Sequence, residues 1–306
     1  MITYTEHKNI NKQKWDKCID NSSNACIFIY SWYLDVVADD WSALILNDYE
    51  AVFPLATKSK YKINYIYQPF FTRYFGVYTN LKITSKLVND FFDSIPSKFK
   101  YIEFCLHETN SFEVNGIEKK EKRFQLLDLK TSYETIVKNY SENTRRNIKK
   151  AIKSGLKIRP DIEPEKIVNL FKTTKGGELE IFKPNDYVLL IKLMNACLKN
   201  KKGQSFAVYD GDELCAAAFF MFNDSTFTYL KNGLTDNGKA KGAMYLLIDY
   251  FILQNSQKKY QLDFGGSSVD SVAQFYNKFG AKDYVYLQVK KNNLPTVAKW
   301  IKKIKE

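Results

Sequence analysis

Residues suited to acid–base chemistry occur in a short segment in the last quarter of the chain. Residues 271–281 read SVAQFYNKFGA, in which Tyr276 stands four positions before Gly280. A phenol with an ordinary pKa of about 10 is protonated at neutral pH and can donate its proton to a leaving group held beside it. We therefore predict that Tyr276 is a general acid. The alternative is a core tyrosine whose hydroxyl bonds within the fold.

A general base would have to come from a carboxylate. Asp263 lies on a predicted central strand, where a carboxylate is costly unless it has a partner. Glu178 and Glu180 in the loop KGGELEIF are rival candidates, and water can take the proton if the site acts by proximity alone. The segment LDFGGSS continues past Asp263 with small residues that let a substrate approach the strand end. From it we assign Gly265, Gly266 and Ser267 to substrate binding.

A third segment, TDNGKAKGA, precedes the apolar stretch MYLLIDYFILQN, which is typical of a helix. Small residues at a helix start leave backbone N–H groups open, and these groups, with the positive end of the helix dipole, bind a diphosphate. An ordinary helix-starting turn is the alternative. The residues that we assign to this diphosphate site are Asn237, Gly238, Lys239, Ala240, Lys241, Gly242 and Ala243.

The stretch NTRRNIKKAIKSGLKIR, residues 143–159, is strongly basic and contains no acid. Ser141 can cap a helix here through the amide of Thr144, and Gly155 can end it. A helix that only faces water usually carries opposite charges at four-residue spacing, so the lack of acids favours an anionic partner. A solvated face is the alternative. From this helix we assign Arg145, Arg146 and Lys149 to substrate binding.

The composition fits a folded protein with anionic partners. The chain has 306 residues, 45% hydrophobic and 15% aromatic, and its formal charge of +12 favours phosphates, nucleic acid or an acidic membrane surface. No apolar run approaches the roughly 18 residues of a membrane span, and the first residues lack the apolar centre of a signal peptide, so we predict a cytoplasmic protein. Five cysteines without a Cys-x-x-Cys pair, and two histidines, give no basis for a metal site.

The order of elements predicts a duplicated fold. Alternating strand and helix patterns are typical of a mixed sheet with helices on its faces. The segments FFDSIPSKFKYIEF and YFILQNSQKKYQLDF share an aromatic pair, a Lys-Tyr and an acid followed by Phe, about 160 residues apart. A hairpin signal precedes each, at Asn47-Asp48 and at Asp210-Gly211. Against a chance similarity, we predict an α/β (α+β) protein of two related domains, residues 1–130 and 131–306.

These segments give the second half a resemblance to the GNAT acetyltransferase superfamily. NGKAKG resembles its acyl-CoA diphosphate loop, with Asn237 and Ala240 where the pattern has Gln or Arg and its first glycine, and FYNKFGA resembles its Tyr-x-x-x-Gly motif. With the duplication, YSENTRRNIKKAIKSGL and LDFGGSS, the whole chain resembles the Fem-type (FemABX) branch, in which two GNAT-like domains build peptidoglycan interpeptide bridges. The resemblance implies two tandem GNAT-like domains, each a mixed, mostly antiparallel sheet flanked by helices.

The resemblance also implies an acyl or aminoacyl transfer to an amine acceptor in cell-wall or polysaccharide assembly. Bridge-forming enzymes commonly carry lysine where Tyr276 stands, so acyl-CoA and aminoacyl-tRNA both stay open as donors. The second domain would hold the donor. The first domain lacks a counterpart of FYNKFG and would face the acceptor, with Arg73 in YIYQPFFTRYFGVYT as an anchor. An ordinary strand pair with core aromatics is the alternative for that stretch.

Two further interpretations of the basic charge stay open. A lipid-linked acceptor would bring the lysines against the anionic inner face of the membrane. A non-catalytic protein would instead bind nucleic acid or another anionic surface, and this binding would weaken steeply as salt rises. Binding of an acyl-CoA donor would separate the transferase from the non-catalytic protein.

Overall fold

The chain folds into two compact units. The structure is a computed structural model, and it describes residues 1–114, 116–178, 181–265 and 270–295. The first unit consists of Met1–Lys122 together with the chain from Val285, and the second consists of Arg123–Tyr284. Within the described ranges, no helix is both long and apolar enough to cross a membrane.

The first unit contains a mixed sheet. Its strands follow the order β1-β2-β3-β4-β6-β13, with β5 beside β3; β4 and β6 run parallel, and the other neighbours run antiparallel. The helices are α1 (Lys12–Asn21), α2 (Ser31–Val37) and α3 (Ser85–Asp93). The strands are β1 (Ile2–Glu6), β2 (Trp41–Leu46), β3 (Ala51–Lys60), β4 (Ile63–Ile66), β5 (Tyr78–Thr79), β6 (Phe99–Leu106) and β13 (Lys282–Asn292).

The second unit has the corresponding arrangement. Its strands follow the order β8-β9-β10-β11-β12-β7, in which β11 and β12 run parallel and the other neighbours run antiparallel. The strands are β7 (Glu118–Asp128), β8 (Lys157–Pro160), β9 (Gly203–Asp210), β10 (Glu213–Phe222), β11 (Thr226–Leu234) and β12 (Gln261–Asp263). The helices are α4 (Tyr133–Lys138), α5 (Glu142–Lys153), α6 (Pro164–Thr173), α7 (Pro184–Lys199), α8 (Asp236–Lys241), α9 (Ala243–Asn255) and α10 (Asp270–Asn277).

The two sheets exchange their last strands. Strand β7 follows β6 in the chain but pairs with β12, whereas β13 follows β12 but pairs with β6 through residues 287–292. In each unit a hairpin is followed by a helix and by a strand parallel to one that precedes the helix, which confirms the predicted mixed sheet and its helical flanks. The compact units are therefore not the linear segments 1–130 and 131–306, whose identity as domains stays a prediction.

Local turn chemistry forms the two predicted hairpins. Asn47 joins β2 to β3 with φ of 48°, and Gly211 joins β9 to β10 with φ of 59°. Asparagine and glycine tolerate this left-handed region better than other residues. The hairpins therefore begin where the sequence predicts them.

Helices cover both faces of the second sheet. Phe220 of β10 stacks on Phe251 of α9, with ring centroids 3.7 Å apart, while the next residue back, Phe219, lies against Gly203 near α7. Successive side chains of a strand point to opposite faces. Helices α9 and α7 thus lie on opposite sides of the sheet.

Candidate functional site

The parallel strands β11 and β12 separate where β12 ends. They pair through residues 226–228 and 261–263, whereas β11 continues beside β10 as far as Leu234. Among the described residues, β11 has no partner on this side after Thr228. We call this place the strand fork and define it by Tyr229 on β11 and by Asp263 and Phe264 at the end of β12.

The predicted acid Tyr276 lies at the strand fork. Its ring stacks on Phe264, with centroids 4.5 Å apart, and meets Tyr229 edge-on at 6.1 Å. The residue is 8% exposed. The hydroxyl of the neighbouring Tyr229 bonds to Met244 Sδ at 3.1 Å, and burial raises the pKa of Tyr229 well above its usual value. The structure places the Tyr276 phenol where β11 and β12 part, and its acid role stays a prediction.

Asp263 ends β12 as a buried carboxylate, 3% exposed. Its Oδ1 accepts a hydrogen bond of 3.0 Å from the amide of Gly265, which adopts the left-handed φ of 92° that favours glycine. The carboxylate therefore orders the chain just past the fork, and its role as a base stays a prediction. Of the other assigned residues, Glu178 has its backbone in a 3-10 turn (Lys175–Glu178), and its side chain, Glu180, Gly266 and Ser267 lie outside the described residues.

The segment predicted to bind a diphosphate is a short helix rather than an open loop. Thr235 caps α8 by accepting a 3.0 Å hydrogen bond from the amide of Gly238. Gly242 ends α8 with φ of 78°, and α9 begins at Ala243 with no side chain capping its first amides. The uncapped start of α9 is the part of this segment that keeps the chemistry of an anion site.

Two polar side chains of α8 bind neighbouring acids instead of facing an open position. The Lys241 ammonium pairs with Asp210, and the Asn237 amide donates to Asp210 at 3.2 Å and to Glu213 at 3.0 Å. The hydrogen bond from Lys241 is the main reason why the pKa of Asp210 is lowered. Lys239 and Ala240 are exposed.

The glycines of this segment are required by packing. A Cβ on Gly238 would lie 2.3 Å from the carbonyl oxygen of Cys215 on β10, and a Cβ on Gly242 would lie 2.7 Å from the carbonyl oxygen of Asn147 on α5. From the sequence, the small residues here are expected to let a ligand approach. In the structure, Gly238 instead lies against the backbone of β10, and Gly242 lies against the backbone of α5.

The basic helix α5 begins as predicted, since Ser141 accepts a 3.1 Å hydrogen bond from the amide of Thr144. Arg145 donates to the carbonyl of Tyr140 at 2.6 and 3.1 Å, and Arg146 donates to Asn143 at 3.0 Å. Lys149 is exposed. The two arginines thus partly serve the start of their own helix, while the lysines face solvent.

Helix α5 adjoins both the start of α9 and the end of α10. Asn143 of α5 donates to the hydroxyl of Tyr245 on α9 at 3.1 Å. At the other side, the Thr144 hydroxyl and the Ser141 amide both donate to the carbonyl of Lys278, each at 2.9 Å. The structure therefore brings together three predicted segments, namely the basic helix, the turn before α9 and the helix with Tyr276.

A buried carboxylate fixes α9 to the segment before α5. Asp249 of α9 accepts hydrogen bonds from the Tyr133 hydroxyl at 2.9 and 3.1 Å. Burial raises the pKa of Asp249, and the bond from Tyr133 acts in the opposite direction. The pair holds the start of α9 at the site by anchoring the middle of that helix.

Arg73 belongs to the first unit. It is buried, donates to the Tyr74 hydroxyl at 3.2 Å, and its guanidinium lies 5.9 Å from the ring centroid of Phe28. Its predicted role as an acceptor anchor stays a prediction.

Sequence reasoning missed Lys231 on β11. Phe220 pairs with Tyr229 but Phe219 pairs with Lys231, so Leu230 is an extra residue in β11 and forms a bulge. The bulge turns Lys231 away from the face of Tyr229 and towards α6. A lysine within the apolar strand STFTYLKNGL was the available signal.

The order of elements and the two related units define a tandem GNAT-like fold. A tandem GNAT protein from the clavulanic acid biosynthesis pathway is 9% identical, with a TM-score of 0.51, 97% of this chain covered and 100% of that chain. More particularly, the fold is FemABX-like. FemX is 13% identical, with a TM-score of 0.66 and coverage of 91% and 96%, and the C-terminal domain of a putative lysylphosphatidylglycerol synthetase from Agrobacterium fabrum is 10% identical, with a TM-score of 0.56 and coverage of 92% and 93%.

The chain therefore has a FemABX/GNAT-like fold. No protein-family model and no curated protein matches the sequence.

Proposed function

We propose that the protein transfers an acyl or aminoacyl group from acyl-CoA, or from an aminoacyl-tRNA, to an amine acceptor. The observation that carries this proposal is the meeting of α5, the uncapped start of α9 and the Tyr276 helix around the strand fork. The FemABX/GNAT-like fold supports it, because proteins of that fold include acyl- and aminoacyltransferases.

The chemistry at the fork is a substitution at the donor carbonyl. The neutral amine attacks the carbonyl carbon, a C–N bond forms, and the bond from that carbon to the CoA sulfur, or to the tRNA ribose oxygen, breaks. Tyr276 gives its proton to the departing sulfur or oxygen. Asp263, its rival Glu178 or a water molecule takes the proton that the amine loses, so the charges balance.

The start of α9 would hold the diphosphate of a CoA donor. Its first amides have no side-chain cap, and the helix dipole favours an anion at that end. Exposed Lys239 and Lys149 supply positive charge on either side of it. An aminoacyl-tRNA would use the same basic surface of α5 through its phosphates.

The acceptor would be an amine used in cell-wall or polysaccharide assembly. The names of two similar structures, FemX and a lysylphosphatidylglycerol synthetase, support an envelope substrate that is peptide- or lipid-linked. The protein would then work in the cytoplasm, at the inner face of the membrane, where its basic surface meets anionic lipids.

Thermal unfolding with candidate donors tests this proposal. We expect acetyl-CoA and desulfo-CoA to raise the melting temperature, because a ligand at one hundred times its Kd stabilises the folded form by about 2.7 kcal/mol. Adenosine is the matched control, since it lacks the diphosphate. Stabilisation by tRNA, with no effect of CoA or of a short DNA duplex, would assign an aminoacyl-tRNA donor.

A second candidate function is a non-catalytic nucleic-acid binder, which the exposed basic side of α5 favours. In that case a short DNA duplex would raise the melting temperature, the effect would disappear as salt rises, and CoA would have no effect. This outcome would contradict the transferase proposal.

A further inference from the structure

A lysine lies among aromatic rings beside the strand fork. The Lys231 ammonium is 4.1 Å from the ring centroid of Phe171 on α6 and 4.6 Å from that of Phe182. Tyr187 of α7 packs near both rings, with centroids 6.1 and 5.7 Å away. We call Phe171, Phe182 and Tyr187 the aromatic box. The faces of such rings attract a cation, so the box holds the ammonium in one place.

The described part of the chain places no negative charge against the ammonium in the aromatic box. Within the described ranges, no acidic side chain contacts Lys231, and burial lowers its pKa to about 8. Lys172, over the ring of Tyr187 at 5.7 Å, adds a second positive charge nearby. A partly buried cation is costly where no counter-charge lies near it, and contacts with aromatic rings offset only part of that cost. The described side chains around Lys231 therefore favour binding of an anion.

Lys58 in the first unit shows what a completed pair looks like in this chain. Its ammonium lies 4.7 Å from the ring centroid of Tyr67 and 3.0 Å from the Asp39 carboxylate. Burial acts to lower the pKa of Lys58, but the hydrogen bond to Asp39 helps leave it raised. Lys231 has comparable aromatic contacts, and among the described residues no carboxylate accompanies them.

The bulge and a glycine place this ammonium next to the fork. Lys231 follows the Leu230 bulge on the part of β11 that β12 no longer covers. Two residues on, a Cβ at Gly233 would lie 2.7 Å from the backbone nitrogen of Phe171, so α6 packs directly on the strand and places Phe171 of the aromatic box there. Lys231 is partly exposed, which leaves a side open to a ligand.

We propose that Lys231 and the aromatic box bind a carboxylate of the acceptor, so that the acceptor is an amino acid or peptide with a free carboxylate. The assignment of this carboxylate to the acceptor rests on the proposed function. One ammonium matches one unit of negative charge, and the surrounding rings exclude water and strengthen the ion pair. Lys231 is a binding residue in this scheme and takes no part in bond making.

Nuclear magnetic resonance of 13C-lysine-labelled protein tests the site without any transfer reaction. We expect the Cε–Hε signal that disappears in Lys231→Met to titrate near pH 8, and N-acetylglycine to move that midpoint upward by about one unit or more. N-acetylglycinamide, the neutral analogue, should leave it in place, and the Lys58 signal should respond to neither. A midpoint near 10.5, or no response to N-acetylglycine, would overturn the site. A response to methyl phosphate alone would overturn its assignment to a carboxylate.

The melting temperature of Lys231→Met, measured against that of the wild type, is a second test of the site and also shows whether the variant folds. Because the folded-state pKa of Lys231 is lowered, the unfolded chain binds more protons between pH 8 and about 10.5, and wild-type stability rises across that window. We therefore expect Lys231→Met to melt above the wild type at pH 7, with a difference that narrows by pH 10. A difference in melting temperature that stays constant from pH 7 to 10 would contradict the lowered pKa of Lys231 and the site built on it.

Acceptor kinetics distinguish a failure of the carboxylate site from a failure of the proposed transferase function. Lys231→Met should raise KM for an acceptor with a carboxylate about 10- to 100-fold and leave donor Kd unchanged, and Lys231→Arg should restore part of the loss. For an amidated acceptor, the wild type and both variants should have the same KM. If no donor binds, the proposed function fails while the resonance test still decides the carboxylate site.

Discussion

Tyr276→Phe is expected to lower turnover at least about tenfold while donor affinity stays nearly unchanged. A positioned general acid contributes about 10² to 10⁴ in rate, and this substitution removes the proton that the leaving group needs. Phenylalanine keeps the ring that stacks on Phe264 and meets Tyr229, so the core around the fork should persist. The measurement is kcat together with donor Kd, with the melting temperature as a check of folding.

Tyr229→Phe is the matched control for this prediction. Tyr229 belongs to the same aromatic cluster, but its hydroxyl bonds to Met244 within the core. We expect this variant to retain turnover. An unchanged rate in Tyr276→Phe would remove Tyr276 from the mechanism, and an equal loss in both variants would assign the effect to packing.

Gly238→Ala is expected to destabilise the second unit by about 3 kcal/mol, as severe overpacking does. The added Cβ would lie 2.3 Å from the carbonyl oxygen of Cys215, and backbone of a central strand cannot move aside cheaply. The amide of Gly238 is already bonded to Thr235, so the loss should appear in the melting temperature before it appears in donor affinity.

Gly211→Ala provides the comparison for Gly238→Ala. Gly211 also lies in the second unit, has φ of 59°, and has nothing within 4 Å of an added Cβ. Its substitution should cost about 1 kcal/mol, from the left-handed backbone alone. Near-wild-type melting of Gly238→Ala with weakened CoA binding would show that this glycine serves the ligand, and would contradict the packing explanation.

Features that depend on local chemistry could be predicted from the sequence. Asn47 and Gly211 make their hairpins because the left-handed region suits them, and Ser141 caps α5 because its hydroxyl reaches the amide of Thr144. The repeated helix and strand pattern likewise predicts a mixed sheet in each half. These signals lie within a few residues of the structure that they form.

Features that depend on distant partners could not be predicted. Nothing in the pattern of β7 or β13 says that each skips the strand before it in the chain and pairs with a more distant one, β7 with β12 and β13 with β6. The turn before α9 has glycines that suit an open anion loop, yet Gly238 is required because the carbonyl oxygen of Cys215 on β10 leaves no room for a Cβ. Lys231 reads as one polar residue in an apolar strand, because its role depends on a bulge at Leu230 and on rings from α6 and the chain before α7.

A crystal structure with CoA bound is the measurement that tests the transferase proposal most directly. We predict that the CoA diphosphate contacts the first amides of α9, beginning at Ala243, and that the sulfur lies at the strand fork with the Tyr276 hydroxyl beside it. CoA bound to another surface, or a start of α9 that stays closed to it behind the Lys241–Asp210 pair, would contradict this proposal.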